Sequence, residues 1–277
     1  MKKIIVPVDF SLYSENALRT AAMFAKQHDA ELIVVHMLEL SNAIASVPNS
    51  YVQEETVYYF KIAERKFKEF LDREYLSDVK ITPIIKHYKI FAELNDLAVA
   101  EEADLIIMGS LGASGFKEAF IGSNTEKVVR TSEVPVLVVK GMPVPSMFKN
   151  AVFACSFSDN DIVPYKKAKR LLATLGCSLK LLYVNTPYGE FLTTKQQKDK
   201  VAQFLEKTKT IDPVLEEVAF VDDLSVENGI LEYAKENSSD VIVMGTHGRK
   251  GLAHFFNGSI SEDIANHAKK PVLTIKM

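Results

Sequence analysis

Asp104-Leu-Ile-Ile-Met-Gly-Ser-Leu-Gly112 is written a second time as Asp240-Val-Ile-Val-Met-Gly-Thr-His-Gly248. Each copy continues, after nine residues, into a Gly-Ser pair, Gly122-Ser123 and Gly258-Ser259. The displacement is constant at 136 (245 − 109, 248 − 112, 258 − 122, 259 − 123), and Pro135 matches Pro271 at the same offset. The four apolar residues of each copy form an unbroken run, which predicts a central strand covered on both faces. The glycine that ends the run permits a sharp turn and close approach of a ligand to the backbone. The Gly-Ser pair opens a helix, whose free N–H groups and dipole favour an anion.

Outward from these copies the chain alternates short apolar runs with amphipathic stretches. In the first half the runs are Ile4–Val8, Glu31–Met37, Val79–Lys86, Leu105–Met108 and Val134–Val139. Between them, helices are predicted after a Ser14 cap, over Val57–Leu71, Phe91–Ala100 and Ser123–Thr131. The second half repeats the order. Its strands are Val152–Cys155, Ser178–Val184, Val214–Phe220, Val241–Met244 and Val272–Ile275. Its helices are Val163–Leu175, Thr194–Thr208, Ser225–Lys235 and Ser259–Ala268. Near the start of each half the offset is 147 (183 − 36 for His36 and Tyr183), so the first half carries eleven extra residues (147 − 136), most of them assigned to Ser41–Ser50. Gly141-Met-Pro-Val-Pro145 breaks the periodicity, which predicts domains at 1–141 and 147–277 joined by a linker at 142–146.

Such alternation implies an α/β chain with parallel sheets and right-handed crossovers. The expectation is two tandem Rossmann-like, doubly wound domains, each with a five-stranded parallel sheet. Ligands of such sheets lie beyond the carboxyl ends of the strands, where the strand order reverses. Asp9 and Gly109 would meet there.

Composition narrows the function. With 33 Lys+Arg against 36 Asp+Glu, the net charge of −3 offers no basic field for nucleic acid. No apolar run approaches the roughly 20 residues of a membrane helix, and Met1-Lys2-Lys3 leads directly into a strand-like run, which argues against a secretory leader. Cys155 and Cys177 fall at opposite ends of neighbouring strands, ~20 Å apart for a six-residue strand. A disulfide requires Cα atoms within about 7 Å, so both are read as buried thiols of a reducing, cytoplasmic compartment. The six histidines show no metal-ligand spacing with them.

Neither glycine pattern is a Walker A loop or a GxGxxG. The plain alternative is that the glycines serve only turns and helix packing. Other features take plain readings too. His36 and His87 are core-edge or solvated residues, Phe153 and Phe157 are core, and Lys166-Lys167 with Lys169-Arg170 are a solvated helix face. His254-Phe255-Phe256 packs beneath a loop or meets a partner. Asp222-Asp223 is a helix cap before Ser225 rather than a metal pair.

The segment from Asp104 through Gly122-Ser123-Asn124 to Val134-Pro-Val-Leu-Val-Val139 resembles the universal stress protein family, as does its counterpart from Asp240 through Asn257-Gly-Ser-Ile260 to Lys270-Pro-Val-Leu-Thr-Ile275. The resemblance covers nearly the whole chain. It implies five-stranded domains of order 3-2-1-4-5, binding of an adenine nucleotide (ATP or AMP, with Mg²⁺ accompanying ATP) and dimer-like pairing of domains through their last strands. Position by position it implies that Pro7, Val8 and Asp9 lie against the adenosine and Met37 against the adenine. Met108, Gly109 and Gly112 would bracket ribose and phosphates, and Gly122, Ser123 and Asn124 would hold the phosphates.

The second-half counterparts are Ser156, Val184, Met244, Gly245, Gly248, Gly258, Ser259 and Ile260, with His247 and Arg249 as phosphate partners. Leu111 and Ala113 depart from the polar or basic residues common at those positions. Ser156 stands where Asp9 stands and cannot supply its carboxylate. The functional expectation is a sensor or regulator in the stress response, acting through an unidentified protein partner, with no catalytic residue and at most slow ATP hydrolysis. The competing readings are a nucleotide-free scaffold and a weak ATP hydrolase using His247.

Overall fold

The computed structural model describes residues 1–38, 49–87, 92–111, 122–141, 144, 147–188, 191–208, 218–246 and 260–277. In chain order the first half contains β1 (Lys3–Val8), α1 (Leu12–His28), β2 (Glu31–Leu38), α2 (Asn49–Leu71), β3 (Ile81–His87), α3 (Ala92–Ala100), β4 (Leu105–Gly109), α4 (Ser123–Thr131) and β5 (Val136–Val139). The second half contains β6 (Asn150–Ala154), α5 (Ile162–Thr174), β7 (Ser178–Asn185), α6 (Thr194–Thr208), β8 (Val218–Asp222), α7 (Val226–Glu236), β9 (Val241–Thr246), α8 (Ile260–His267) and β10 (Val272–Lys276).

The strands form one ten-stranded sheet ordered β3-β2-β1-β4-β5-β10-β9-β6-β7-β8. Neighbours within each half are parallel. The halves meet at β5 and β10, which run antiparallel with Val138 opposite Val272 and Val136 opposite Thr274. Two parallel sheets are thus joined edge to edge into a mixed one, and each edge strand that would otherwise expose unpaired N–H and C=O groups is covered by the other.

One face of this sheet carries a continuous apolar core running from Ile4, Leu18 and Phe24 through Phe148 to Phe153 and Phe204. Phe148 meets Phe24 edge-on, 5.5 Å between ring centroids. Asn16 Nδ2 donates to the Gly141 carbonyl over 2.8 Å. The approach to the second half is therefore packed against α1. The opposite face holds two separate cores, one under α3 and α4 and one under α7 and α8.

Helix starts follow capping chemistry. The first helix begins at Leu12, with Ser11 as its cap: Ser11 Oγ accepts the Ser14 N–H over 3.2 Å. Ser14, expected as the cap, lies inside the first turn and donates its hydroxyl to the Ser11 carbonyl. The cap moves because Ser11 is the last residue with extended backbone (φ −76, ψ 163) and so the one able to reach forward. The repeated aspartates have a structural duty. Asp104 accepts the Lys2 and Lys3 N–H groups, and Asp240 accepts those of Lys149 and Asn150, pinning the start of each first strand to its fourth.

Candidate functional site

β1 pairs with β2 on one side and β4 on the other, so the strand order reverses between β1 and β4. Gly109 ends β4, and Asp9 and Ser110 stand just beyond the carboxyl ends of β1 and β4. Pro7 and Val8 are buried, while Asp9 is part-exposed, with Oδ1 accepting the Ser11 N–H over 3.0 Å. Phe10 turns the chain with φ 65, uncommon for a bulky residue. Its ring is anchored among His36 (4.2 Å), Phe67 and Phe70. That anchoring holds the strained backbone and leaves the Asp9 carboxylate at the strand end. His36 Nδ1 lies 2.8 Å from the Val8 carbonyl, which only accepts, so Nδ1 carries a proton. Burial pushes the His36 pKa below its ordinary value.

Gly109 touches a helix. A Cβ placed on it would stand 2.7 Å from the Tyr13 carbonyl carbon. The plain packing explanation therefore accounts for a glycine here. Met108 is core, buried beneath α3 and α4, and Met37 packs at the margin of the same core. The first turn of α4 is tied to the end of β4 twice. Gly122 N–H donates to the Ser110 carbonyl over 2.8 Å, and Thr125 Oγ1 donates to the Gly109 carbonyl over 2.9 Å. Thr125 was not singled out in the sequence; its signal is a hydroxyl three residues after Gly122. Gly122 provides no side-chain cap, so the first turn of α4 presents backbone donors, with Ser123 exposed and Asn124 part-exposed beside them.

In the second half β6 pairs with β7 and β9 as β1 pairs with β2 and β4. Phe157 repeats the left-handed turn of Phe10, with φ 56. Ser156 is exposed at the strand end. Its hydroxyl donates to Asp161 Oδ2 over 2.6 Å and its N–H to the same oxygen over 3.2 Å. Ser158 adds its N–H and hydroxyl, each at 3.1 Å. Asp161 is 4% exposed. The sequence reading missed it, although Ser158-x-x-Asp161 is a capping-box spacing.

Met244 lies in the core under α7 and α8, with Val184 at its edge. A Cβ on Gly245 would meet Met277 Cε at 2.7 Å, and one on Gly229 would meet Val184 Cγ1 at 2.6 Å. Ile260 is exposed at the start of α8. Gly112, Ala113, His247, Gly248, Arg249, His254-Phe255-Phe256, Gly258 and Ser259 lie outside the described residues.

Among the described residues no group of three His, Cys, Asp or Glu side chains could hold a metal ion. The cap of α7 is Ser225 rather than Asp222-Asp223: Ser225 Oγ accepts the Asn228 N–H over 3.1 Å, and Asp223 braces that cap by accepting Ser225 N–H and Asn228 Nδ2. No described helix is long and apolar enough to cross a membrane. A cleft of about 810 Å³ between α2 and the outer strand β3, lined by Phe60, Phe67, Pro83 and Ile85, contains none of the expected site residues.

The family model "Universal stress protein family" matches residues 1–140 and 147–276. Two universal stress proteins of Methanocaldococcus jannaschii are similar to half of the chain. One is 34% identical over 153 residues, 50% of this chain and 94% of its own. The other is 30% identical over 149 residues, 50% of this chain and 82% of its own. The solved structure of a universal stress protein from Archaeoglobus fulgidus covers 99% of this chain and 98% of its own, with a TM-score of 0.65 and 22% identity, a likeness of fold.

Proposed function

The chain belongs to the universal stress protein family, both halves matching it, and from that premise we propose that it binds an adenine nucleotide, ATP or AMP, as a sensor or regulator in the stress response. The carrying observation is one juxtaposition. The part-exposed Asp9 carboxylate and the uncapped start of α4 at Gly122 stand at the ends of neighbouring strands, at the point where the strand order reverses. A carboxylate suits hydroxyl and amino donors of a nucleoside, and a helix start suits phosphate. Pro7, Val8 and Met37 would border the base; Gly112, Ser123 and Asn124 would complete the phosphate side. With no carboxylate cluster in reach among the described residues, Mg²⁺ would enter on the nucleotide phosphates with its own waters.

We read each half as a unit of order 3-2-1-4-5, spanning 1–141 and 147–277. Support comes from the neighbour sequences β3-β2-β1-β4-β5 and β8-β7-β6-β9-β10. The antiparallel β5–β10 junction then stands in for the interface of a dimer. The output is a change in conformation or in affinity for a protein partner, in the cytoplasm, a setting that the two free buried cysteines suit.

Equilibrium titration with ATP and Mg²⁺, reporting stoichiometry per chain, tests this. Binding that Asp9→Ala weakens supports the reading. The absence of ATP and AMP binding at millimolar concentration rejects it in favour of the scaffold. One observation favours that second reading: Gly109 is accounted for by packing against the Tyr13 backbone.

A further inference from the structure

The junction between first strand and first helix is built twice from the same parts in different places. In the first half it reads Asp9-Phe-Ser-Leu-Tyr-Ser14; in the second it reads Ser156-Phe-Ser-Asp-Asn-Asp161. At offset 147 (156 − 9, 161 − 14) aspartate and serine have changed places. The equivalence is structural as well, since Phe10 and Phe157 share the left-handed backbone and β6 pairs with β7 and β9 as β1 pairs with β2 and β4.

One backbone donor explains why both versions fold. The N–H of Ser11 donates to the carboxylate of Asp9, and the equivalent N–H of Ser158 donates to that of Asp161. Either aspartate satisfies the turn, but the consequences differ. Asp9 supplies its carboxylate from the strand end and stays part-exposed. Asp161 supplies it from the short turn just before α5, buried, with both N–H groups and both hydroxyls of Ser156 and Ser158 on a single oxygen. The charge of the second half is therefore consumed inside the junction, and Ser156, the group left at the strand end, directs its hydroxyl inward.

We infer that this exchange confines nucleoside recognition to the first half, so that the chain binds one nucleotide and residue pairs 9/14 and 156/161 select which half carries it. The inference rests on the nucleotide reading above. Losing a hydrogen bond to a charged acceptor weakens binding about 10- to 100-fold, enough to empty the second site at concentrations that fill the first.

The test is ATP–Mg²⁺ stoichiometry in the full chain. Wild type is expected to bind one equivalent. The double exchange Ser156→Asp with Asp161→Ser is expected to bind two. Ser156→Asp alone would set two carboxylates against each other; it is expected to lower stability and leave one site. The reverse exchange, Asp9→Ser with Ser14→Asp, is expected to abolish binding.

Two sites in wild type, one site in a folded Ser156→Asp/Asp161→Ser chain, or unchanged binding in the folded reverse exchange would each overturn the inference while leaving nucleotide binding intact. Should the first double exchange not fold, the reverse exchange decides alone, and should neither fold, wild-type stoichiometry decides. No site in wild type would overturn the nucleotide reading itself.

Discussion

Gly109 lies directly against the backbone of Tyr13: a Cβ on the glycine would sit 2.7 Å from the Tyr13 carbonyl carbon and 2.8 Å from its oxygen. Helix and strand meet there without side chains between them, which places the start of α1 over the end of β4. Gly109→Ala must push backbone from backbone, and its expected cost is about 1–3 kcal/mol of stability. Gly141→Ala, whose Cβ would meet the Tyr13 ring at an ordinary 3.7 Å, is expected to stay within about 0.5 kcal/mol. Chemical denaturation of the two variants checks the pair.

His36 predicts a pH effect. Burial holds its pKa below 6.5, so the unfolded chain takes up this proton first as pH falls. Its contribution to stability is full above about pH 6.5 and is lost as pH falls through the lower, folded value. His28 acts in the same direction, so the comparison must isolate His36. The repeat supplies the variant, because Tyr183 occupies the equivalent place, stacked 5.9 Å from Phe157. Wild type is expected to gain stability relative to His36→Tyr as pH rises, and the difference to level off above about 6.5. A difference independent of pH would reject the assignment.

Lys140 crosses between halves, donating from Nζ to the Ala265 carbonyl on α8. Burial lowers its pKa from 10.5 to about 8. Between these values the unfolded chain binds the proton that the folded chain has released, so this residue's contribution to stability rises with pH across that window. Lys140→Met removes that rise. Denaturation midpoints from about pH 8 to 10 should show wild type gaining on the variant.

Both thiols should be silent. Burial raises the Cys155 pKa well above its ordinary value, with Asp161 adding to the shift, and raises that of Cys177 to about 12. Since the thiolate is the reactive form, a thiol reagent at about pH 8 should label neither cysteine in the native chain and both after unfolding. Native labelling of Cys155 would show that the junction around Asp161 opens.

The Gly repeat announced two copies of one α/β unit, because a central strand buried on both faces must be written as an unbroken apolar run, as in Leu105–Met108 and Val241–Met244. Continuous and amphipathic runs likewise placed the described strands and helices within a few residues, except that α2 begins at Asn49, eight residues before the expected Val57 (57 − 49). The cap of the first helix shifted from Ser14 to Ser11 because capping depends on backbone angles that the pattern does not encode. The candidate site was legible as positions and less so as duties. The fold adds duties that the sequence does not announce: Gly109 packs on Tyr13, and Met108 and Met244 are buried in the cores under α3–α4 and α7–α8.

What the sequence determined by itself is local and periodic: the repeat, the strand and helix order, and the substitution of serine for aspartate at 156. Only the tertiary structure decided how β5 joins β10, why Gly109 must be small, and that the carboxylate missing from Ser156 has returned five residues later on Asp161. Each depends on groups brought together by the folded chain, where a donor left without an acceptor is costly and any nearby carboxylate can satisfy it, whatever its place in the sequence.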